Sequence, residues 1–557
     1  MAVKIPEKDS PFSRLDRFKI SKDDLIAGIS VACVAIPQSL AYAALAGVPV
    51  YYGLYALSIP TFLAAFLGTS TILSTGPVAA ISLLTAALLQ QFQLTDPAQI
   101  VMYAATLAVL VGLIQITLGL SKLGTLINYI ARPVMIGFTM AAAIVIAFSQ
   151  VPQLLGLTVA KHEHFLPSVW ETLKHVLEFS FESSLFGLIS LLFIVILKKK
   201  QPLFPAGLIA VVISILLSQY MSYDGAIIGA IPAGLPEIKL YNYTALPLSF
   251  MLPNALVIAL VGFMESMTIV KSLAQKTRDR LDPNKELLAQ GAANLSSGMI
   301  GSFPVAGSVS RTVLNYSVGA KSKMASIVLS IIALIAILGL SRVLYYLPFA
   351  TLAAVIIAAV MNLINPHEIY ELYKTRRREA LVALFTFGCT LLFAPHLDYG
   401  IVFGVIASIS VYLHKTARPH IEIFFCHDKD YLHSQHYHLH TYPSNKKVMG
   451  VSVESSLTFT NATYVYDTIM QELNKHKRPK YVLLLCNRIN YIDSSAEQVL
   501  QDIHNDLANQ NIELLLAGLP QRIIDELHTT KVYDYLGGDH IYPKANLALK
   551  AIYRKQV

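Results

Sequence analysis

Long apolar segments alternate with short polar ones over the first 417 residues of the 557-residue chain. Long apolar runs include Leu25–Leu67, which has no charged residue and is long enough for two membrane spans, and Leu94–Ser121, whose only charged residue is Asp96. Each span needs about twenty apolar residues to cross a hydrocarbon core about 30 Å thick. The pattern predicts a polytopic α-helical membrane protein of about fourteen spans.

The composition agrees with this interpretation. Hydrophobic residues make up 54% of the chain and charged residues only 14%. The mean hydropathy of +0.54 lies outside the range of ordinary soluble domains. Residues 1–23 are polar and charged, so we expect a cytoplasmic N-terminal segment without a cleavable signal peptide.

Clusters of basic residues between the apolar runs predict the orientation in the membrane. The positive-inside rule places them in the cytoplasm, together with both termini. Segments 152–182 and 222–249 are poor in Lys and Arg and are expected outside. The net charge of +8 therefore reflects topology, and no aromatic-basic motif indicates nucleic-acid binding. The clustered residues are Lys4, Lys8, Arg14, Arg17, Lys19, Lys22, Lys198–Lys200, Lys271, Lys276, Arg278, Arg280, Lys321, Lys323, Lys374 and Arg376–Arg378.

Two proline-broken segments, one in each half of the chain, carry nearly the same short sequence. Residues 74–80 read STGPVAA and residues 301–307 read GSFPVAG. Proline interrupts a helix but is well tolerated in a helix's first turn. Matched interrupted spans in two halves of a membrane protein point to a transporter's substrate site. The alternative is that Pro and Gly are common in membrane helices and the match arose by chance.

The chain after residue 418 has a different composition. Residues 418–446 are polar and rich in histidine, as expected for a linker. The histidines match no zinc-ligand spacing, and the four cysteines are far apart, so we predict neither a metal site nor a cofactor. The histidines are His420, His427, His433, His436, His438 and His440.

Residues 447–557 have the pattern of a soluble α/β domain. Short apolar strands at 448–453, 481–486 and 512–517 alternate with helical patterns at 461–475 and 494–509, and another helix starts at Pro520. Such alternation predicts a sheet covered by helices.

Several of these motifs resemble those of the SulP family of anion transporters, which includes pendrin, prestin and sulfate carriers. Residues 36–55, IPQSLAYAALAGVPVYYGLY, resemble the family's first-span signature. Residues 76–83 and 301–311 resemble its third and tenth spans. Asn461-Ala462 and residues 492–496, IDSSA, resemble the regulatory STAS domain that follows the membrane region in this family.

This resemblance implies a fold and a mode of transport. The fold comprises two inverted seven-span repeats, here about residues 24–201 and 202–417, divided between a core and a gate domain. Transport would proceed by elevator-type alternating access, in a homodimer within membrane lipid. A bacterial cytoplasmic (inner) membrane is the expected location.

The resemblance also implies a substrate site between the third-span and tenth-span half-helices. Two helix N-termini aimed at one point offer unpaired N–H groups and partial positive charge to an anion. Alternatives remain: Tyr42 is also typical of an interfacial belt, Ser308 can bond its own helix backbone, and Arg311 can serve a structural ion pair. The predicted substrate-binding residues are Gln38, Tyr42, Pro77, Val78, Ala79, Ser308, Val309, Ser310 and Arg311.

Glu265 is the only charged residue between Asn254 and Lys271. An intramembrane carboxylate is costly and is a functional candidate by default, because removal from water favours its neutral, protonated form. The family resemblance places Glu265 on the eighth span, facing the site, which favours coupling to protons over sodium. The alternative is a protonated carboxyl that holds two helices together.

The sequence therefore predicts a secondary active, proton-coupled transporter of a small anion of the sulfate, bicarbonate or dicarboxylate class. An anion exchanger, an uncoupled chloride-type channel and a membrane sensor signalling through the STAS domain are alternatives. No nucleophile–base pair or phosphate loop indicates an enzyme. Ser495 is a candidate regulatory phosphosite, although Asp493 or Ser494 also suits an ordinary helix N-cap.

Overall fold

The computed structural model describes most of the chain. The residues described are 21–124, 131–159, 165–201, 204–221, 223–230, 234, 238, 246–277, 281–339, 343–394, 396–426, 448–475 and 479–554. The chain divides into two compact units, Met1–Ser408 and Ile409–Val557.

Up to residue 417 the described elements include eighteen α-helices and two very short strands. They are α1 (Lys22–Ala46), α2 (Tyr52–Leu57), α3 (Ile59–Leu67), β1 (Thr75–Gly76), α4 (Ala79–Gln91), α5 (Pro97–Leu120), α6 (Arg132–Ser149), α7 (Val151–Leu155), α8 (Phe165–Lys174), α9 (Phe181–Lys200), α10 (Ala206–Tyr220), α11 (Leu248–Thr277), α12 (Pro283–Met299), β2 (Ala306–Gly307), α13 (Val309–Val318), α14 (Met324–Gly339), α15 (Phe349–Val360), α16 (Pro366–Thr375), α17 (Arg377–Phe393) and α18 (Leu397–Ala417).

The helices confirm the predicted membrane architecture. Seven segments of the described chain are long and apolar enough to span a bilayer, and four shorter apolar segments accompany them. Adding α12, α13 and α17 gives fourteen segments. Counting seven in each half puts the division between α10 and α11, and not after residue 201 as the sequence suggested.

The two proline-broken segments meet in the structure. β1 and β2 pair in antiparallel orientation, with Thr75 opposite Gly307 and Gly76 opposite Ala306. β1 leads into α4 and β2 into α13, so the two short helices start side by side. At 13 and 10 residues they are about 20 Å and 15 Å long, too short to span the hydrocarbon core. Both are half-helices, as predicted.

Longer helices surround the crossing, the point where the segment of β1 and α4 meets the segment of β2 and α13. α1 packs against both α4 and α13, while α11 packs against α4, β2 and α13. α12 packs against α3, α5 and β2. These neighbours carry the remaining candidate residues, Gln38 and Tyr42 on α1 and Glu265 on α11.

The C-terminal unit contains a five-stranded sheet in the order β3-β4-β5-β6-β7, in which β3 is antiparallel to β4 and the other pairs are parallel. Apolar side chains of the helices pack on both faces of the sheet. Its elements are β3 (Ile421–Cys426), β4 (Val448–Val453), α19 (Ala462–Lys475), β5 (Tyr481–Leu485), α20 (Ser494–Asn509), β6 (Glu513–Ala517), α21 (Gln521–Thr529), α22 (Val532–Leu536), β7 (Ile541–Tyr542) and α23 (Ala545–Arg554).

These elements confirm the α/β prediction, with one correction. β3 lies inside the range 418–446 that the sequence analysis interpreted as linker, and it pairs with β4 over six residues from Ile421 opposite Val453. Its position was missed because the polar, histidine-rich composition of that range hid a short strand. Residues 427–447, which carry most of the histidines, lie outside the described residues.

Candidate functional site

The N-termini of α4 and α13 form the centre of the candidate site. Val78 precedes α4 with an extended backbone, and no side chain caps the first-turn N–H groups. Ser308 precedes α13, and its backbone N–H donates to the carbonyl oxygen of Ser74 at 2.9 Å. Pro77, Val78 and Ala79, which the sequence analysis predicted as substrate-binding residues, are buried at the start of α4. Two helix N-termini thus open at one point, where they favour negative charge.

Arg311 lies in the first turn of α13 and is completely buried. Its Nη1 donates a hydrogen bond of 2.8 Å to the carbonyl oxygen of Pro77, across the crossing. Its Nε and Nη2 have no hydrogen-bond partner in the structure. Burial of a guanidinium with two unpaired donor groups and no carboxylate partner carries a desolvation cost that a bound anion would offset.

Gln38 and Tyr42 close the site from α1. Both are buried, at 8% and 5% exposure, and Gln38 Oε1 has no hydrogen-bond partner. The Tyr42 side chain lies near both Arg311 and Glu265. The structure therefore brings Tyr42 together with the two charged groups, which lie on different helices.

Glu265 lies on α11. Its Oε2 is buried and has no hydrogen-bond partner. Glu265 and Arg311 do not pair directly with each other as an ion pair. The carboxyl is therefore not held by the guanidinium, and burial away from water favours its neutral form.

The serine residues of α13 have different environments. Ser308 is buried, and its Oγ accepts a hydrogen bond from the Arg311 backbone N–H at 3.4 Å, an ordinary N-cap. Ser310 is exposed, and its Oγ lies 3.4 Å from that of Ser308. Val309, between them, is half-buried. The Ser310 hydroxyl thus hydrogen bonds to that of Ser308 and caps no helix, whereas the oxygen of Ser308 already caps α13.

The sequence reasoning missed a set of buried amides behind the crossing. Gln290 and Asn294 on α12 hydrogen bond to Thr75 and Val305, residues of the two crossing segments. Their four-residue spacing on a helix with little apolar character was the available signal. It was not used because amides at such positions carry no recognisable chemistry on their own.

The candidate phosphosite Ser495 lies in the first turn of α20. Asp493 caps α20 through Oδ1, which accepts from the Ala496 N–H at 2.9 Å, while Ser494 and Ser495 are exposed. No group of three or more potential metal ligands occurs among the residues that the structure describes.

Comparisons with known proteins follow the same division of the chain. The model of the "Sulfate permease family" matches residues 22–386, and that of the "STAS domain" matches residues 441–548. The chain is 31% identical over 523 residues to the chloroplastic sulfate transporter 4.1 of Arabidopsis thaliana, covering 89% of this chain and 75% of the relative.

Two solved structures share the fold. The murine anion transporter Slc26a9 in its inward-facing state superposes with a TM-score of 0.87 at 23% identity, over 97% of this chain and 93% of that chain. The transmembrane domain of the cyanobacterial bicarbonate transporter BicA gives a TM-score of 0.61 at 24% identity, over 70% of this chain and 97% of that chain.

Proposed function

The chain belongs to the sulfate permease family of anion transporters, and we propose that it is a secondary active transporter driven by protons. Its substrate is a small anion of the sulfate, bicarbonate or dicarboxylate class. This class is supported by its relatives, which include sulfate transporters and, among the solved structures, a bicarbonate transporter.

One observation carries the anion site: Arg311 is fully buried at the crossing of two half-helices and leaves Nε and Nη2 without partners. An anion at the N-termini of α4 and α13 would supply the missing acceptors. It would also accept hydrogen bonds from first-turn N–H groups and from Ser310. Gln38 and Tyr42 would complete the site from α1.

Proton coupling is assigned to Glu265. Its buried, unpartnered Oε2 makes the charged form unfavourable, so the carboxyl takes up a proton when the site is closed to water. Tyr42 lies near both Glu265 and Arg311. Neutral Glu265 leaves the positive charge of Arg311 uncompensated and strengthens anion binding, whereas ionised Glu265 weakens it. This reciprocity couples the entry of a proton to the entry of an anion.

The transport cycle we propose is an elevator. The unit that holds α1, α4, α11 and α13 moves across the membrane, with the anion kept between the two helix N-termini. The protein would act as a homodimer in a bacterial cytoplasmic membrane. Both termini would lie in the cytoplasm, because the positive-inside rule assigns the basic clusters to that side.

Transport by the purified chain in liposomes tests this proposal. We expect sulfate, bicarbonate or a C4-dicarboxylate to compete for uptake, and an inwardly directed proton gradient to drive accumulation. Uptake that does not depend on the proton gradient but requires an anion inside the liposomes would favour an exchanger. Flux that follows the membrane potential alone would favour a channel, and absence of any flux would favour a sensor.

A further inference from the structure

Two buried amides on α12 each hold one of the two crossing segments. Gln290 and Asn294 lie one helical turn apart on the same face of α12, at 1% and 0% exposure. Gln290 Nε2 donates to Thr75 Oγ1 at 2.8 Å, on the segment that leads into α4. Asn294 contacts Val305, on the segment that leads into α13.

Asn294 binds the backbone of Val305 as a neighbouring strand would. Its Nδ2 donates to the Val305 carbonyl oxygen at 3.0 Å, and its Oδ1 accepts from the Val305 N–H at 2.8 Å. Because the backbone fixes which atom donates and which accepts, the amide orientation is unambiguous. The residue after Val305 is the first of β2, which pairs with β1.

A third amide extends this contact to the helix of Glu265. Asn294 Nδ2 also donates to Gln115 Oε1 at 3.0 Å, and Gln115 Nε2 donates to the carbonyl oxygen of Ala259 at 3.1 Å. Ala259 and Glu265 both lie on α11. The β1–β2 pairing alone spans only two residues on each strand and is a weak restraint on the crossing.

We propose that Gln290 and Asn294 are positioning residues that fix the two helix N-termini relative to each other and thereby set anion affinity. Neither touches the anion: Gln290 acts through Thr75 and Asn294 through Val305. This inference rests on the proposed function. Its physical basis is that a site made of two N-termini binds well only when both point at the same place, and a shift near 1 Å can cost about a hundredfold.

A double-mutant cycle on the full chain in lipid nanodiscs tests it, with sulfate and bicarbonate as probes. The variants are Gln290→Met and Asn294→Ser, alone and together, and Ser296→Ala is the control. Ser296 is buried on the same helix, but its hydroxyl bonds only to the helix's own backbone at Ala293. Dissociation constants and unfolding temperatures are measured for all five proteins.

We expect each single variant to raise the dissociation constant about tenfold, which corresponds to about 1.4 kcal/mol. The double variant should bind about as weakly as either single one, because freeing one segment already removes the fixed spacing. The control should bind as the wild type does.

Folded single variants that keep the wild-type dissociation constant would overturn the inference, even if their unfolding temperatures fall. Additive losses in the double variant would also overturn it, since they indicate two independent effects. If Asn294→Ser does not fold, Gln290→Met still tests the Thr75 contact. A wild type that binds neither probe contradicts the proposed function instead.

Discussion

Arg311 Nη1 donates a 2.8 Å hydrogen bond to the carbonyl oxygen of Pro77, linking residues 234 positions apart. One half-helix therefore supplies the cation, and the segment before the other half-helix anchors it. The anchor uses only one of the three guanidinium nitrogens, and Nε and Nη2 have no partner. The arrangement keeps a buried positive charge in place while leaving donors for a ligand.

Replacing Arg311 with Met should abolish high-affinity anion binding. The variant loses the buried charge and its free donors, so the dissociation constant should rise about a hundredfold or more. Isothermal titration of the purified chain measures this. Arg132→Met is the matched control, because Arg132 is 79% exposed and pairs with Glu368 outside the site. Equal affinity in the Arg311 variant and the wild type would place the anion elsewhere.

Bulk at the N-terminus of α13 should block the site. Ser310→Leu should weaken binding about tenfold, because an apolar side chain would replace a hydroxyl donor and occupy anion space. Ser317→Leu makes the same change on the exposed side of the same helix, where the serine bonds only to Val313. It should leave affinity unchanged, and similar losses in both variants would indicate general damage to α13.

Removal of the Tyr42 ring should likewise weaken anion binding while leaving expression intact. Tyr42→Ala opens the wall formed by α1, and Tyr42→Phe keeps the ring but removes the hydroxyl that lies near both charges. We expect a larger loss of affinity for Ala than for Phe, measured with the same titration. Wild-type affinity in Tyr42→Ala would remove this side chain from the site.

Neutralising Glu265 should separate proton coupling from anion movement. Glu265→Gln mimics only the protonated form, so uptake driven by a pH gradient should disappear while anion exchange continues. Liposomes with and without a gradient measure both activities. Glu182→Gln, at the exposed start of α9, is the control. Undiminished gradient-driven uptake by Glu265→Gln would show that another group carries the proton.

Deleting the C-terminal domain should leave anion selectivity unchanged. A chain that ends at His420 loses the whole sheet, including β3. A chain that ends at the predicted boundary of 446 would keep β3 but lose its partner β4. We expect the shorter chain to keep the order of anion preference and to change in rate, stability or assembly. A new preference order, or full-affinity substrate binding by the isolated domain, would contradict this division of labour.

Asp493 should stabilise its domain more than either neighbouring serine does. Its Oδ1 caps α20, and its Oδ2 accepts from the Phe459 N–H at 2.7 Å. Asp493→Ala should therefore cost about 1 kcal/mol or somewhat more, seen as faster amide hydrogen exchange in α20. Ser495→Ala should leave exchange unchanged, because Ser495 is exposed and caps nothing. Loss of protection only in the serine variant would reverse these roles.

The sequence by itself determined the local elements of this protein. The length of the apolar runs predicted the membrane helices, and the two prolines predicted that short helices begin after them. The spacing of apolar residues and the N-cap residues predicted α20 over Ser494–Asn509. These features depend on residues within a few positions of one another, so they can be read without a partner. The domain signature and half-helix motifs also indicated the family.

Only the tertiary structure decided how the distant parts meet. The sequence left Arg311 equally suited to the site or to a structural ion pair, and its burial beside Pro77 settled where it lies. It gave no role to Gln290 and Asn294, since the partners of both are on other segments. It missed β3, which is defined by pairing with β4 across a long intervening stretch. Long-range contacts depend on packing between segments that local patterns do not encode.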